Sequence, residues 1–354
     1  MKEFKRIGVL TSGGDAPGMN AAVRAVVRSA LSNGVEVVGI YRGYSGLIEG
    51  DIRNLGMRDV SNTINKGGTF LYSDRCPELK TPEGLAKAVE TCKKFEIDGI
   101  VAIGGDGTFR GATALSRQGV PCIGIPGTID NDISSTDNTI GFDTASNTAL
   151  DLVDKLRDTC ESHARCNVIE VMGRGAGDIA LVTAIGAGAT AVVIPEFDFD
   201  EEPLFAKIKN SKKLGKRNFI IIVSEGMGKE YAPALANNIQ QRTGVETKFA
   251  RFAHIVRGGT PTLRDRILAT HMGTFAVDKL LEGKSNIVIC ENDGEIVYKE
   301  ISYALDLDAM CKNKIDEIDF SKYDDATIKM MQAECEQRRK RMSELYKLES
   351  RVSL

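Results

Sequence analysis

Short runs of β-branched and other apolar residues recur along the chain, each closing in a glycine-bearing turn that leads into a stretch with apolar positions every three or four residues. The clearest runs are IGVLTS (7–12), VEVVGIY (35–41), GIVAIGG (99–105), VPCIGIPG (120–127), NVIEVMG (167–173), TAVVIPE (190–196) and NFIIIVSE (218–225). Near-continuous apolar strands of this kind belong to parallel sheets covered on both faces. The helical period at 20–32, 82–95, 144–158 and 203–214 predicts the covering helices, so the pattern is α/β. From about residue 324 a helical period continues, but EQRRKRMSELYKLES carries little apolar surface. That predicts a charged, solvated C-terminal helix over 324–354, with a partner-binding helix as the alternative.

A length of 354 residues exceeds the usual single domain and predicts two lobes sharing one cleft. No repeat and no long Pro- or Ser-rich linker divides the halves, so crossing segments should join them. The 46 Lys and Arg against 49 Asp and Glu leave a net charge of -3, without the basic surplus of a nucleic-acid footprint. The start MKEFKRIGVLTSGGD lacks the apolar core and cleavage site of a signal peptide, and no run approaches the roughly 20 apolar residues of a membrane span. These features predict a soluble, cytoplasmic protein. The eight cysteines form no CxxC pair, which fits reduced thiols. Cys160, His163 and Cys166 have helical spacing and no evident fourth ligand, so they read as packing residues, not as a zinc site.

The candidate chemistry sits where strands end. The first strand runs into Thr11-Ser12-Gly13-Gly14-Asp15, and the third into Gly104-Gly105-Asp106-Gly107-Thr108, each before a helix. Such turns let backbone amides approach a phosphate. Neither matches a P-loop or a dinucleotide fingerprint, and either alone also reads as a tight connection with a capping Asp. The segment Pro126-Gly127-Thr128-Ile129-Asp130-Asn131-Asp132 adds two carboxylates and a hydroxyl at the carboxyl end of a strand, where open α/β sheets bind ligands. An Asp there can take a proton from a substrate hydroxyl; an Asx turn satisfies the same residues. Arg174 after one strand and His254 and Arg257 before a helix offer anion clamps.

In this order TSGGDAPGMNAA, GGTFLYSDR, IGGDGT, PGTIDND, EVMGR and HIVRGG resemble the phosphofructokinase family, over about residues 5–306. The resemblance implies two Rossmann-like lobes with mostly parallel sheets, one of 1–141 plus 256–306 for ATP, the other of 142–255 plus 307–323 for the sugar phosphate. It implies the committed step of glycolysis, ATP-dependent phosphorylation of fructose 6-phosphate at the 1-hydroxyl. Asp130 would be the base, with Thr128 and Asp132 completing the sugar and metal environment. Gly14, Tyr44, Arg75, Cys76, Gly105, Asp106, Gly107 and Thr108 fall at ATP positions, and Asp106 would engage Mg²⁺. Arg75 and Arg174 would stabilise the transferring phosphoryl group. Arg165, Met172, Gly173, Arg174, Glu225, Lys248, His254 and Arg257 would hold the sugar phosphate, Arg165 and Lys248 from a neighbouring copy in a homotetramer.

The chain departs from the family at several positions. Lys248 stands where Arg is usual, keeping the charge but losing the bidentate fork, which implies weaker grip on the sugar phosphate unless Arg251 substitutes. Arg24, Arg28, Arg157 and Lys216 match residues that bind ADP or phosphoenolpyruvate in bacterial members, whereas Met57, Thr190, Leu214 and Asn218 replace others, so altered allosteric control follows. Pyrophosphate-using relatives carry Asp at position 107 and Lys at 127; glycine at both favours ATP. A same-fold enzyme using pyrophosphate or another ketose phosphate is the alternative, and a non-catalytic regulatory subunit the reading from another class.

Overall fold

In the computed structural model, which describes residues 4–353, every apolar run named above is a strand. Residues 1–3, within the segment weighed as a signal peptide and at the start of the first expected lobe, and residue 354, at the end of the expected C-terminal helix, lie outside the described residues. The strands are β1 (Arg6–Ser12), β2 (Glu36–Ile40), β3 (Ile52–Asn54), β4 (Gly99–Gly104), β5 (Cys122–Pro126), β6 (Cys166–Val171), β7 (Ala191–Val193), β8 (Phe219–Ser224), β9 (Thr247–Arg251), β10 (Ile287–Asn292) and β11 (Glu295–Glu300). The chain divides into two units.

The first unit, residues up to 129 with 133–144 and 257–335, holds a seven-stranded sheet in the order β11-β10-β5-β4-β1-β2-β3. β10, β5, β4, β1 and β2 run parallel, and β3 and β11 add antiparallel edges. β4 is buried along its whole length, as a strand covered on both faces must be. The helices Met19–Ser32 and Leu263–Leu281 pack closely enough that a Cβ on Gly273 would lie 2.7 Å from that of Ala25. At the start of the second of these, buried Asp265 accepts from the Gly141 amide at 2.9 Å and the Thr144 amide at 2.8 Å; burial pushes its carboxyl up and these bonds offset part of that rise.

The second unit, residues 130–132, 145–256 and 336–353, holds the parallel sheet β7-β8-β6-β9. Phe205, Ile208, Leu235 and Ile239, from the helices Glu201–Lys213 and Tyr231–Thr243, cover Val168, Phe219 and Ile221 in its core.

Three expectations need correction. Residues 307–323 pack with the first unit, not the second, because Leu307, Met310 and Ile318 are buried with Met331; 142–144 also fall in the first unit, and 130–132, expected in the first lobe, fall in the second. The C-terminal helix Asp325–Val352 is docked, not solvated: Met331 and Cys335 enter that cluster, Tyr346 stacks on Phe197 at 4.5 Å between ring centres, and Glu349 and Ser353 are buried. The cysteines are not all reduced thiols, since the same packing sets the Cα atoms of Cys311 and Cys335 5.1 Å apart and a disulfide joins them. Cys160 instead donates its thiol to the Arg165 carbonyl, and His163 contacts the Thr159 carbonyl. Among the described residues no helix is long and apolar enough to cross a membrane.

Candidate active site

In the first unit the pairings Ser12↔Gly104 and Gly104↔Pro126 bring the carboxyl ends of β1, β4 and β5 level, so the three motif turns leave the sheet side by side. After β1 the chain bends through Gly13 at φ 87°, a left-handed conformation that favours glycine. A Cβ on Gly14 would lie 2.7 Å from Nη1 of Arg257, which donates to the Asp15 carbonyl at 3.2 Å. Arg257, expected at the sugar phosphate, therefore lies against the first glycine turn. The two turns are stitched together by the Thr108 hydroxyl donating to the Ser12 carbonyl at 3.1 Å, and buried Tyr44 donates its hydroxyl to the Thr108 carbonyl at 2.6 Å. Tyr44, expected at the nucleotide, supports the turn from beneath. Burial pushes its hydroxyl well above the usual range.

Gly105 and Gly107 differ from their neighbours: neither has positive φ, and a Cβ on either would meet nothing within 4 Å. Neither conformation nor packing calls for glycine there. What the two glycines leave is room at the N-terminus of the helix Asp106–Arg117, where the helix dipole favours an anion. Gly127 is another case, since its Cβ would sit 3.0 Å from both Ile103 and Met19; that glycine has a packing reason of its own. The sequence argument about the donor therefore rests on Gly107. Asp106 opens the helix, half-buried. Among the described residues no three Asp, Glu, His or Cys side chains converge to hold a metal. The single Asp106 carboxylate beside a phosphate cradle is the donor set Mg²⁺ accepts, because that ion is commonly shared between one or two carboxylates and substrate phosphates. Arg75 is exposed, Cys76 and Thr128 are half-buried, and the Thr128 carbonyl accepts from the Thr139 hydroxyl at 2.6 Å. Arg24 and Arg28 lie half-buried on the helix Met19–Ser32; burial and then Arg28 lower the pKa of Arg24. Met57 and Arg58 are both exposed.

In the second unit the pairing Val171↔Ser224 sets Met172-Gly173-Arg174 beside Glu225. Gly173 has φ 150° and Arg174 φ 58°, and the Glu225 carboxylate holds this bend by accepting from both amides, at 3.2 Å and 2.6 Å. Glu225, expected on the sugar, grips backbone with that oxygen. The Arg174 side chain stays 70% exposed, with Nη1 3.5 Å from an Asp132 oxygen. Asp130 and Asp132 are buried, flanking Asn131 at φ 51°. The second unit thus brings together Asp130, Asp132 and Arg174, the groups expected to do the chemistry. Met172 is buried and His254 exposed.

Arg165 and Lys248 both form ion pairs with Glu246 at 2.9 Å, and these two cations, Arg165 first, hold its carboxyl down to about 2. Arg251 is committed elsewhere, to both oxygens of Glu170 and to the Lys229 carbonyl, so it does not stand in for position 248. Arg157 donates to Asn218 at 3.1 Å and to the Ala187 carbonyl. Burial lowers the pKa of Lys216, as does nearby Arg157.

Sequence reasoning missed Lys207, whose ammonium donates to the Thr190 carbonyl and to the Ser353 hydroxyl, both at 2.7 Å, with Glu349 buried beside it. No motif marks these residues. It also missed Asp178 and Arg338, which meet Asn131.

The phosphofructokinase family model matches residues 6–280. The chain is 53% identical over 303 residues to the ATP-dependent 6-phosphofructokinase of Bacillus pumilus, covering 86% of this chain and 94% of the relative. It is 51% identical over 314 residues to that of Clostridium novyi, covering 89% and 97%. Among solved structures, phosphofructokinase from Saccharomyces cerevisiae superposes with TM-score 0.82 at 32% identity over 93% of this chain, which spans half of the yeast chain. The Pichia pastoris phosphofructokinase in the T-state gives 0.84 at 31%, over all of this chain and 40% of that one. A pyrophosphate-dependent phosphofructokinase from Marinobacter aquaeolei, at 23% identity over 84% of this chain and 83% of that one, with TM-score 0.74, shares the fold.

Proposed function

The chain belongs to the phosphofructokinase family and phosphorylates fructose 6-phosphate with ATP as donor; from that premise we propose that Asp130 is the base for the sugar's 1-hydroxyl. The observation that carries this assignment is a buried Asp130 in the same unit as an Arg174 whose guanidinium reaches Asp132. Asp130 takes the hydroxyl proton as O1 bonds to the γ-phosphorus and the bond from that phosphorus to the bridging oxygen breaks, so that ADP leaves. Arg174 supplies positive charge to the phosphoryl group in flight, and Glu225 fixes the backbone from which it projects.

In the first unit the empty shelf at Gly105 and Gly107 receives the nucleotide phosphates against helix amides. Asp106 would hold the Mg²⁺ that arrives with the nucleotide, which would neutralise phosphate charge. Arg75 is exposed for the same anion. Gly107 makes pyrophosphate the less favoured donor. Fructose 6-phosphate is held through Arg165, Lys248 and His254, the first two acting in a neighbouring copy of a cytoplasmic homotetramer. Effector control by ADP or phosphoenolpyruvate is weakened, since Thr at position 190 brings no carboxylate of its own for an effector's metal.

Replacing Asp130→Asn should lower kcat about 10²- to 10⁴-fold while KM for ATP stays within about threefold. A variant that forms fructose 1,6-bisphosphate at the parent rate removes Asp130 from the mechanism.

A further inference from the structure

Asn131 sits between the two carboxylates of the acceptor loop in a left-handed conformation, φ 51°, that an isolated chain populates sparsely even for Asn. Two groups from distant segments close on it. Arg338, on the C-terminal helix, donates from Nη2 to the Asn131 carbonyl at 2.6 Å. Asp178, the first residue of the helix Asp178–Ala187, accepts from the Asn131 side-chain amide at 3.3 Å. The same Arg338 guanidinium lies 3.6 Å from the Asp178 carboxylate, so the three residues form one closed contact set within the second unit.

We propose that Arg338 is a positioning residue for the phosphoryl-transfer step, acting through the Asn131 carbonyl to fix the left-handed residue that separates Asp130 from Asp132. Arg338 lies beyond residues 6–280, the span matched by the family model, in a helix that sequence reading left to solvent. A carbonyl gripped by a cation cannot rotate without losing a charge-assisted bond. That carbonyl belongs to the Asn131–Asp132 peptide, so holding it fixes the direction in which Asp132 leaves the bend, while the Asn131 side chain bonded to Asp178 holds the residue that follows Asp130. Errors of about 1 Å in a reacting group cost about 10²-fold in rate. Arg338 touches neither substrate nor nucleotide in this scheme, so its loss should appear in kcat and leave KM for ATP alone.

The inference rests on Asp130 as the base, and the test separates the two. Arg338→Met keeps the aliphatic stem and removes the donor; Arg338→Lys keeps the charge and one donor. Steady-state kinetics and thermal melts are run on both in the full-length protein, beside Asp130→Asn. The expected result is a kcat about 10- to 100-fold lower for Arg338→Met and about threefold lower for Arg338→Lys, with KM for ATP within twofold and melting temperatures close to the parent's. Parental kcat in Arg338→Met overturns the proposal. So does a loss that Arg338→Lys does not relieve, or one that follows a fall in melting temperature. Should Arg338→Met not fold, Arg338→Lys decides alone: a threefold loss at unchanged KM supports the role and parental kcat removes it. An active Asp130→Asn variant would instead fail the base assignment, whatever Arg338 does.

Discussion

The turns after β1 and β4 in the first unit offer an approaching phosphate backbone and empty space, whereas the loops after β5, β6 and β8 that gather in the second unit offer side chains already bonded to one another. A Cβ on Gly105 or Gly107 would meet nothing within 4 Å. Asp130, Asp132, Arg174 and Glu225 are buried or linked by contacts of 3.5 Å or less. The difference follows from what each must recognise. A nucleotide polyphosphate carries several charges that amides and a helix end can meet without side chains. A single hydroxyl that must lose a proton needs one carboxylate at one place.

After Asp130→Asn, the largest effect expected from breaking the side-chain half comes from Arg174→Ala. It should cost about 10²- to 10³-fold in kcat, the usual price of one transition-state donor, with nucleotide affinity unchanged in equilibrium binding. A parallel loss of nucleotide binding would merge the two halves and undo the comparison. A smaller effect is expected at Lys248. With Arg251 bound to Glu170, nothing else on β9 supplies a fork, so Lys248→Arg should lower KM for fructose 6-phosphate about three- to tenfold. An unchanged KM in initial-rate assays would show that Lys248 meets the sugar phosphate as well as Arg would.

The smallest effect is one of stability. Burial raises the Glu349 carboxyl from 4.5 to about 7, with Lys207 offsetting part of the rise. The folded state therefore prefers the protonated acid, and stability falls as pH rises from about 4.5 to about 7. Glu349→Gln should melt with the parent at pH 4.5 and a few degrees above it at pH 8, a gain of about 1 kcal/mol after allowance for partial solvent screening. A gain that is the same at both pH values would assign the effect to packing.

The backbone half was the more legible in sequence, because a glycine that must approach a ligand leaves a local mark: both turns stand out as GGD before a helix. The strands β1, β2, β4, β5, β6, β7 and β8 were equally visible, since β-branched runs register burial on both faces, whereas β3, β9, β10 and β11 were missed. What the sequence hid are partners far along the chain. TIDND announces two carboxylates but not that Arg338, 207 positions on, holds the carbonyl between them. Nor does EQRRKRMSELYKLES reveal its docked face, because Tyr346 stacks on a single ring and Glu349 and Ser353 are polar residues buried by tertiary contacts. The Cys311–Cys335 disulfide was hidden for the same reason: its spacing of 24 residues forms no motif, and helix packing alone brings the sulfurs together.

The measurement that tests the division most directly is the initial rate of fructose 6-phosphate phosphorylation with ATP and with pyrophosphate, for the parent chain and for Gly107→Asp. A Cβ at position 107 meets nothing within 4 Å, so the substitution should leave the fold intact. The account predicts that the parent uses ATP far better than pyrophosphate and that the new carboxylate raises KM for ATP about tenfold or more by repelling its phosphates. A parent that uses pyrophosphate as well as ATP, or a Gly107→Asp enzyme with parental KM for ATP, would contradict the claim that the space above Gly107 is where the nucleotide binds.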